Sequence, residues 1–125
     1  MTAQRVIVVV DDEEGLLMLF SSVIRRLGHT VLAATGGAEA ITLLERETPD
    51  LIVLDLAMPR VSGFEVLTYM QQTPRLDDTI VLVLTALGGA AALEAPAARA
   101  DHWVNKPVQP TQLNTIIAEL LEGTP

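Results

Sequence analysis

Four places along the chain carry side chains that could do chemistry together: the acid pair Asp11-Asp12, then Asp55, Thr85 and Lys106. Each stands at the end of an apolar or β-branched run of strand length: Arg5 to Val10, Leu51 to Asp55, Ile80 to Leu84 and His102 to Asn105. Carboxylates held close together either take up a proton or bind a cation. Oxygen donors with positions left over for water or phosphate suit a hard divalent ion such as Mg²⁺. A divalent cation, an ammonium and a hydroxyl are what a phosphoryl oxygen needs around it, and a carboxylate can be the nucleophile that accepts phosphorus. The chemistry indicated is phosphoryl transfer through an aspartyl phosphate on Asp55. Taken singly, each residue has a plainer reading: Asp11-Asp12 as an acidic helix start, Thr85 as an N-cap, Lys106 as a solvated loop charge. Those readings would have to hold at four strand ends at once.

The elements that must position these groups follow from hydrophobic patterning. Arg5 to Val10 shows no polar alternation, as in a central parallel strand covered on both faces. The next helix carries Leu16, Phe20, Val23, Ile24 and Leu27 on one face and closes at Gly28, read as a left-handed cap. His29 to Ala34 is a second strand, and Gly36-Gly37 leads into a helix with Ala38, Ala40, Ile41 and Leu44 inward. Leu51 to Asp55 is the third strand, and Gly63 to about Met70 a short helix with Phe64 and Leu67 on one side. Ile80 to Leu84 is the fourth strand. The Ala-rich segment Gly88 to Arg99 contains Pro96, which limits a regular helix to its first half. His102 to Asn105 is a short fifth strand, and the last helix, from near Pro110, places Leu113, Ile116, Ile117, Leu120 and Leu121 at a 3.6 period.

This alternation predicts an α/β domain, a (βα)5 flavodoxin-like three-layer sandwich on a parallel five-stranded sheet of order 2-1-3-4-5. In that order the first and third strands are neighbours, roughly 4.8 Å apart, so Asp11-Asp12 and Asp55 share one small space. Asp77-Asp78 precedes the fourth strand and belongs at the opposite edge, as a solvated loop. His29 and His102 are isolated and have no metal-ligand spacing.

Composition sets the bounds. The 125 residues predict one domain, with residues 122–125 a tail or the start of a linker. Half the residues are apolar and only 3% aromatic, so the core must be aliphatic. A net charge of −8 argues against a nucleic-acid or anionic-membrane surface. No cysteine, no signal-peptide pattern and no run of about 20 apolar residues favour a cytoplasmic setting away from the membrane.

The segments Val10-Asp11-Asp12-Glu13, Leu54-Asp55-Leu56-Ala57-Met58-Pro59, Leu84-Thr85-Ala86 and Asn105-Lys106-Pro107 resemble the receiver domain of two-component response regulators, and the likeness covers almost the whole chain. The resemblance implies that Asp55 takes a phosphoryl group from the phosphohistidine of a histidine kinase or a phosphotransfer protein. It also implies that Asp12, Asp55 and the Ala57 backbone carbonyl hold Mg²⁺, with Asp11 acting through water. Thr85 and Lys106 would bind phosphoryl oxygens, and Thr85 and Trp103 would form the switch. The output face would be the fourth helix, fifth strand and fifth helix, spanning residues 88–121, with a flat apolar patch that meets a downstream protein or a second copy.

Several positions depart from the family pattern. Trp103 stands where Tyr or Phe is usual, and its ring is large for the inward pocket. Arg99 stands where glycine usually caps the fourth helix; a positive φ there would cost a non-glycine residue energy, and with Pro96 just before it a short, irregular or mobile fourth helix is predicted. Arg60 and Ser62 replace the usual Gly and Asp, although Gly63 is kept. Apolar Ala57 and Leu87 border the path of an attacking water and predict a long-lived aspartyl phosphate.

The reading is a signalling switch, either a stand-alone receiver or one cut from a longer protein, with intrinsic self-phosphorylation and autodephosphorylation chemistry. Two other classes compete. An Mg²⁺-dependent phosphohydrolase of the haloacid-dehalogenase type would need an acid/base Asp two residues after the nucleophile, where this chain has Ala57. A pseudo-receiver that only binds partners would lack part of the acid pair, Asp55 or Lys106.

Overall fold

A computed structural model of the chain describes residues 5–58, 60–86 and 99–123. Five parallel strands form one sheet of order β2-β1-β3-β4-β5: β1 Val6–Val10, β2 Thr30–Ala34, β3 Leu51–Asp55, β4 Ile80–Thr85 and β5 His102–Asn105. Among the described residues four helices accompany them, α1 Glu14–Arg26, α2 Gly37–Arg46, α3 Gly63–Gln71 and α4 Pro110–Glu122, with a 3₁₀ turn at Pro74–Leu76. The expected strand order is the observed one. The reading of a proline-interrupted helix from Gly88 onward falls on residues outside the description, as does that of Leu87.

Strand alternation divides the core into two. Val8, Val10, Ile52, Leu54, Val81 and Val83 pack against Ala40 and Leu44 of α2 and Val66, Leu67 and Met70 of α3. Ile7, Val9, Leu51, Val53, Leu82 and Leu84 pack on the other face against Leu17, Phe20 and Ile24 of α1 and Leu113, Ile117 and Leu121 of α4. Because both faces are covered, the central strands carry no polar residue until they end. Each such fully buried aliphatic side chain contributes about 1.5–3 kcal/mol.

Some helix faces differ from the expected ones. Leu27 is 42% exposed because α1 has already ended and the chain is turning there, with Gly28 at φ 95. Leu17 takes the buried place instead, and Ala38 is exposed in the first turn of α2 while Ala40 and Leu44 point inward. Arg99 does not adopt the positive φ expected of a glycine cap; among the described non-glycine residues only Arg60 does, at φ 63. Arg99 anchors instead. Its guanidinium donates to the carbonyl oxygens of Leu76 (2.7 Å) and Thr79 (2.8 Å) and pairs with Asp101 (3.3 Å). Arg75 does the same for the end of α2, donating to the carbonyl oxygens of Leu44 and Glu47.

Candidate phosphorylation site at the strand carboxyl ends

The register places the acids. Val10 pairs with Leu54, so Asp11, one residue beyond β1, sits beside Asp55 at the end of β3. Asp55 pairs with Leu84 and Thr85 with Asn105, which carries the same edge across to Lys106. Asp11, Asp55 and Thr85 are 2%, 4% and 1% exposed, whereas Asp12 faces solvent. One ligand oxygen from each of Asp11, Asp12 and Asp55 lies within 4.8 Å of the others.

Two of the carboxylates are held by backbone groups. The N–H of Glu13 donates to Asp11 Oδ1 at 2.9 Å, and that of Ala57 to Asp55 Oδ1 at 3.1 Å. The other oxygens converge on one cation: Lys106 Nζ is 3.0 Å from Asp11 Oδ2 and 3.3 Å from Asp55 Oδ2. The ammonium therefore bridges both acids rather than flanking Asp55 alone. The Lys106 N–H donates to the Thr85 carbonyl at 2.9 Å, which ties the lysine to the end of β4, and the Lys106–Pro107 peptide is cis.

Burial pushes the Asp55 carboxyl above its ordinary pKa, and the Asp11 charge adds to this; Lys106 and the Ala57 N–H pull the other way without cancelling it. Burial alone would lower Lys106, but its hydrogen bond to Asp11 and the charges of Asp55 and Asp11 outweigh that and raise it. Lys106 is thus firmly a cation facing an excess of negative charge. Three hard oxygen donors converging on so small a space fit a divalent ion with oxygen preference.

Asp11, Asp12, Asp55, Thr85 and Lys106 are brought to this edge, with Ala57 two residues beyond Asp55. Trp103 pairs with Val83 and is half-buried against the α2/α3 side of the core, two residues before the site edge of β5. Asp77-Asp78 is exposed, and Asp78 lines a cavity with Arg5 and Asp50 at the far edge, as expected. His29 is buried there, its Nδ1 accepting the Arg5 N–H at 3.2 Å. The apolar patch expected on the output face falls largely on residues outside the description. Among the described residues the large exposed apolar side chains are Met18, Leu19 and Leu27, on or just beyond α1. Sequence reading also missed the backbone anchoring by Arg75 and Arg99, since the carbonyl oxygens they reach carry no residue-type signal.

The response regulator receiver domain family matches residues 7–118. The probable transcriptional regulator ycf27 of Cyanophora paradoxa is 35% identical over 119 residues, which are 94% of this chain and 48% of that protein. The alkaline phosphatase synthesis transcriptional regulatory protein PhoP of Bacillus subtilis is likewise 35% identical, over 92% of this chain and 48% of its own length. This chain thus spans about half the length of these relatives. Among solved structures, response regulator TrrA of Thermotoga maritima, in complex with Mg²⁺-BeF, superposes with TM-score 0.81 at 27% identity. The alignment covers 94% of this chain and 99% of that one. DrrB of the same organism superposes with TM-score 0.82 at 29% identity, over 96% of this chain and 54% of its own. The chain belongs to the response regulator receiver domain family: it is a signalling domain of the two-component type, on the flavodoxin-like fold. No helix among the described residues is long and apolar enough to cross a membrane.

Proposed function

We propose that Asp55 is the phosphoacceptor of this receiver. An Asp55 carboxylate oxygen forms a bond to phosphorus as the P–N bond of a kinase or phosphotransfer protein's phosphohistidine breaks, and the imidazole nitrogen keeps the electron pair. The observation that carries this reading is the convergence of the Asp11, Asp12 and Asp55 oxygens within 4.8 Å, with Lys106 bridging two of them. Asp12, Asp55 and the Ala57 carbonyl are the groups that would hold Mg²⁺, with Asp11 acting through water. When bound, the ion neutralises charge on the phosphoryl oxygens. Lys106 exchanges its contact with Asp55 for a phosphoryl oxygen, and the Thr85 hydroxyl, at the neighbouring strand end, donates to another. The same groups allow self-phosphorylation from a small donor and slow hydrolysis, chemistry belonging to a switch rather than to a turnover enzyme.

Thr85 and Trp103 lie on paired strands, and their rearrangement would reset the face at residues 88–121 for a downstream protein or a second copy, in the cytoplasm. Incubation with acetyl phosphate and Mg²⁺ tests the reading by intact-mass measurement. The wild type gains one phosphoryl group and Asp55→Asn gains none. A mass gain that persists in Asp55→Asn places the acceptor elsewhere.

A further inference from the structure

The loop from Asp55 to α3 holds the one strained position among the described non-glycine residues. Arg60 has φ 63, a left-handed conformation that a Cβ disfavours. The residues that follow it are closely packed. A Cβ on Gly63 would sit 2.4 Å from the Asp55 carbonyl oxygen, and one on Gly37 would sit 2.3 Å from the Val61 carbonyl oxygen. Gly63 is therefore pressed against the strand end that carries Asp55, and Val61 against the first turn of α2. Glycine or asparagine would satisfy position 60 with less strain, yet the chain places a long cation there.

That cation is unspent. The ion pairs of the described residues are Arg5–Asp50, Arg99–Asp101 and Lys106 with Asp11 and Asp55, and none involves Arg60. Arg60 is exposed and lines a cavity of about 370 Å³ together with Asp12, the solvent-facing member of the acid cluster. The other charged lining residue, Glu39, is engaged by Thr35, whose hydroxyl donates to it at 2.7 Å and whose N–H donates at 3.3 Å. Arg60 is thus a positive charge without an ion-pair partner among the described residues, lining a cavity that reaches the acid cluster through Asp12, in a protein of net charge −8. A doubly negative phosphodonor reaching the acid cluster past Asp12 would meet that charge, and strain persisting beside this cavity points to a task for the side chain.

We infer that Arg60 is a specificity-determining residue for phosphoryl transfer: it favours doubly negative small phosphodonors, and it weakens divalent-cation binding at the neighbouring acids. The inference rests on Asp55 being the acceptor. In the transfer from acetyl phosphate, the Asp55 oxygen–phosphorus bond forms while the bond from phosphorus to the acyl oxygen breaks, and acetate leaves with the electron pair.

The test compares the wild type with Arg60→Gln, Arg60→Lys and Arg60→Gly. Initial phosphorylation rates are measured by mass with acetyl phosphate, doubly negative, and with phosphoramidate, singly negative. Calorimetric titration gives the Mg²⁺ affinity of each protein without any donor. Arg60→Gln should slow acetyl phosphate by roughly three- to tenfold and phosphoramidate by less, a difference that shrinks in high salt. It should also bind Mg²⁺ about twofold more tightly. Arg60→Lys should keep wild-type behaviour. Arg60→Gly should match Arg60→Gln in rate while raising Tm, because it relieves the strain. Unchanged rates in Arg60→Gln, an equal loss with both donors, or a loss in Arg60→Lys as large as in Arg60→Gln each overturns the inference. If the wild type binds Mg²⁺ but gains no phosphate from either donor, the Asp55 reading fails and this one falls with it.

Discussion

The two edges of the sheet use the same residue type for opposite purposes. At the amino-terminal edge, Asp50 precedes β3 and its Oδ2 accepts the Val6 N–H of neighbouring β1 at 2.8 Å. Asp101 precedes β5, and its Oδ2 accepts the Val81 N–H of neighbouring β4 at 2.7 Å. Thr79 closes a third gap, its hydroxyl donating to the Pro49 carbonyl at 2.8 Å. Each carboxylate there caps a strand that would otherwise begin with an unpaired donor, and each has an arginine partner, Arg5 or Arg99. At the carboxyl-terminal edge, Asp11, Asp12 and Asp55 crowd one another with Lys106 as the shared cation. One edge spends its charges on holding the sheet; the other stores charge that a metal and a phosphoryl group can use.

Mutation separates the edges most sharply at Asp55. Beyond abolishing phosphate uptake, Asp55→Asn should stabilise the metal-free protein, since a buried carboxyl whose pKa is raised is held at a disadvantage in its charged form. Denaturant titration in chelator reads this as a rise in midpoint; a fall would mean that Lys106 overcompensates the charge. Mg²⁺ should stabilise the wild type by about 2.7 kcal/mol at a hundredfold excess over Kd, and Asp55→Asn by less. Equal metal-induced Tm shifts in the two proteins would show that Asp55 is not a ligand.

At the other edge, Asp101→Ala should lower stability by about 1–3 kcal/mol by leaving the Val81 N–H without its acceptor, with phosphorylation unaffected. A loss of phosphate uptake in a folded Asp101→Ala protein would join the two edges into one functional unit.

The smallest effect is expected at His29. Burial lowers its pKa first and the Arg5 charge adds to this, against the pull of Asp50, and its Nδ1 must be unprotonated to accept the Arg5 N–H. The unfolded chain therefore binds the proton more readily than the folded one. The His29 contribution is fully present above the unfolded pKa of about 6.5 and is lost as pH falls from there through the lower folded value. His29→Gln should flatten that part of the stability profile; an unchanged slope would assign it to other groups.

The acid pair, Asp55, Thr85 and Lys106 were legible as strand-end residues because continuous apolar runs mark buried parallel strands, and a polar residue that ends such a run lies at an edge. Helix faces were read less well. Leu27 is exposed because α1 ends before it, and Leu17 rather than the half-buried Leu16 takes the fully buried place near the helix start. Arg99, singled out only as a departure from a glycine cap, donates to carbonyl oxygens around residues 76–79, and Arg60 carries a positive φ. A local pattern names the unusual residue but not what it will meet.

Strand runs, their ends and the reactive residue types were therefore determined by the sequence itself, because burial on both faces and backbone propensity act over a few neighbouring residues. Folding alone settled that Lys106 spans two carboxylates, one of them 95 positions away, and that Asp50 and Asp101 cap strands other than their own. It also settled that Arg60 lines a cavity together with Asp12. These depend on inter-strand register and on glycine-sized gaps between distant segments, where a shift of an ångström makes or breaks the contact.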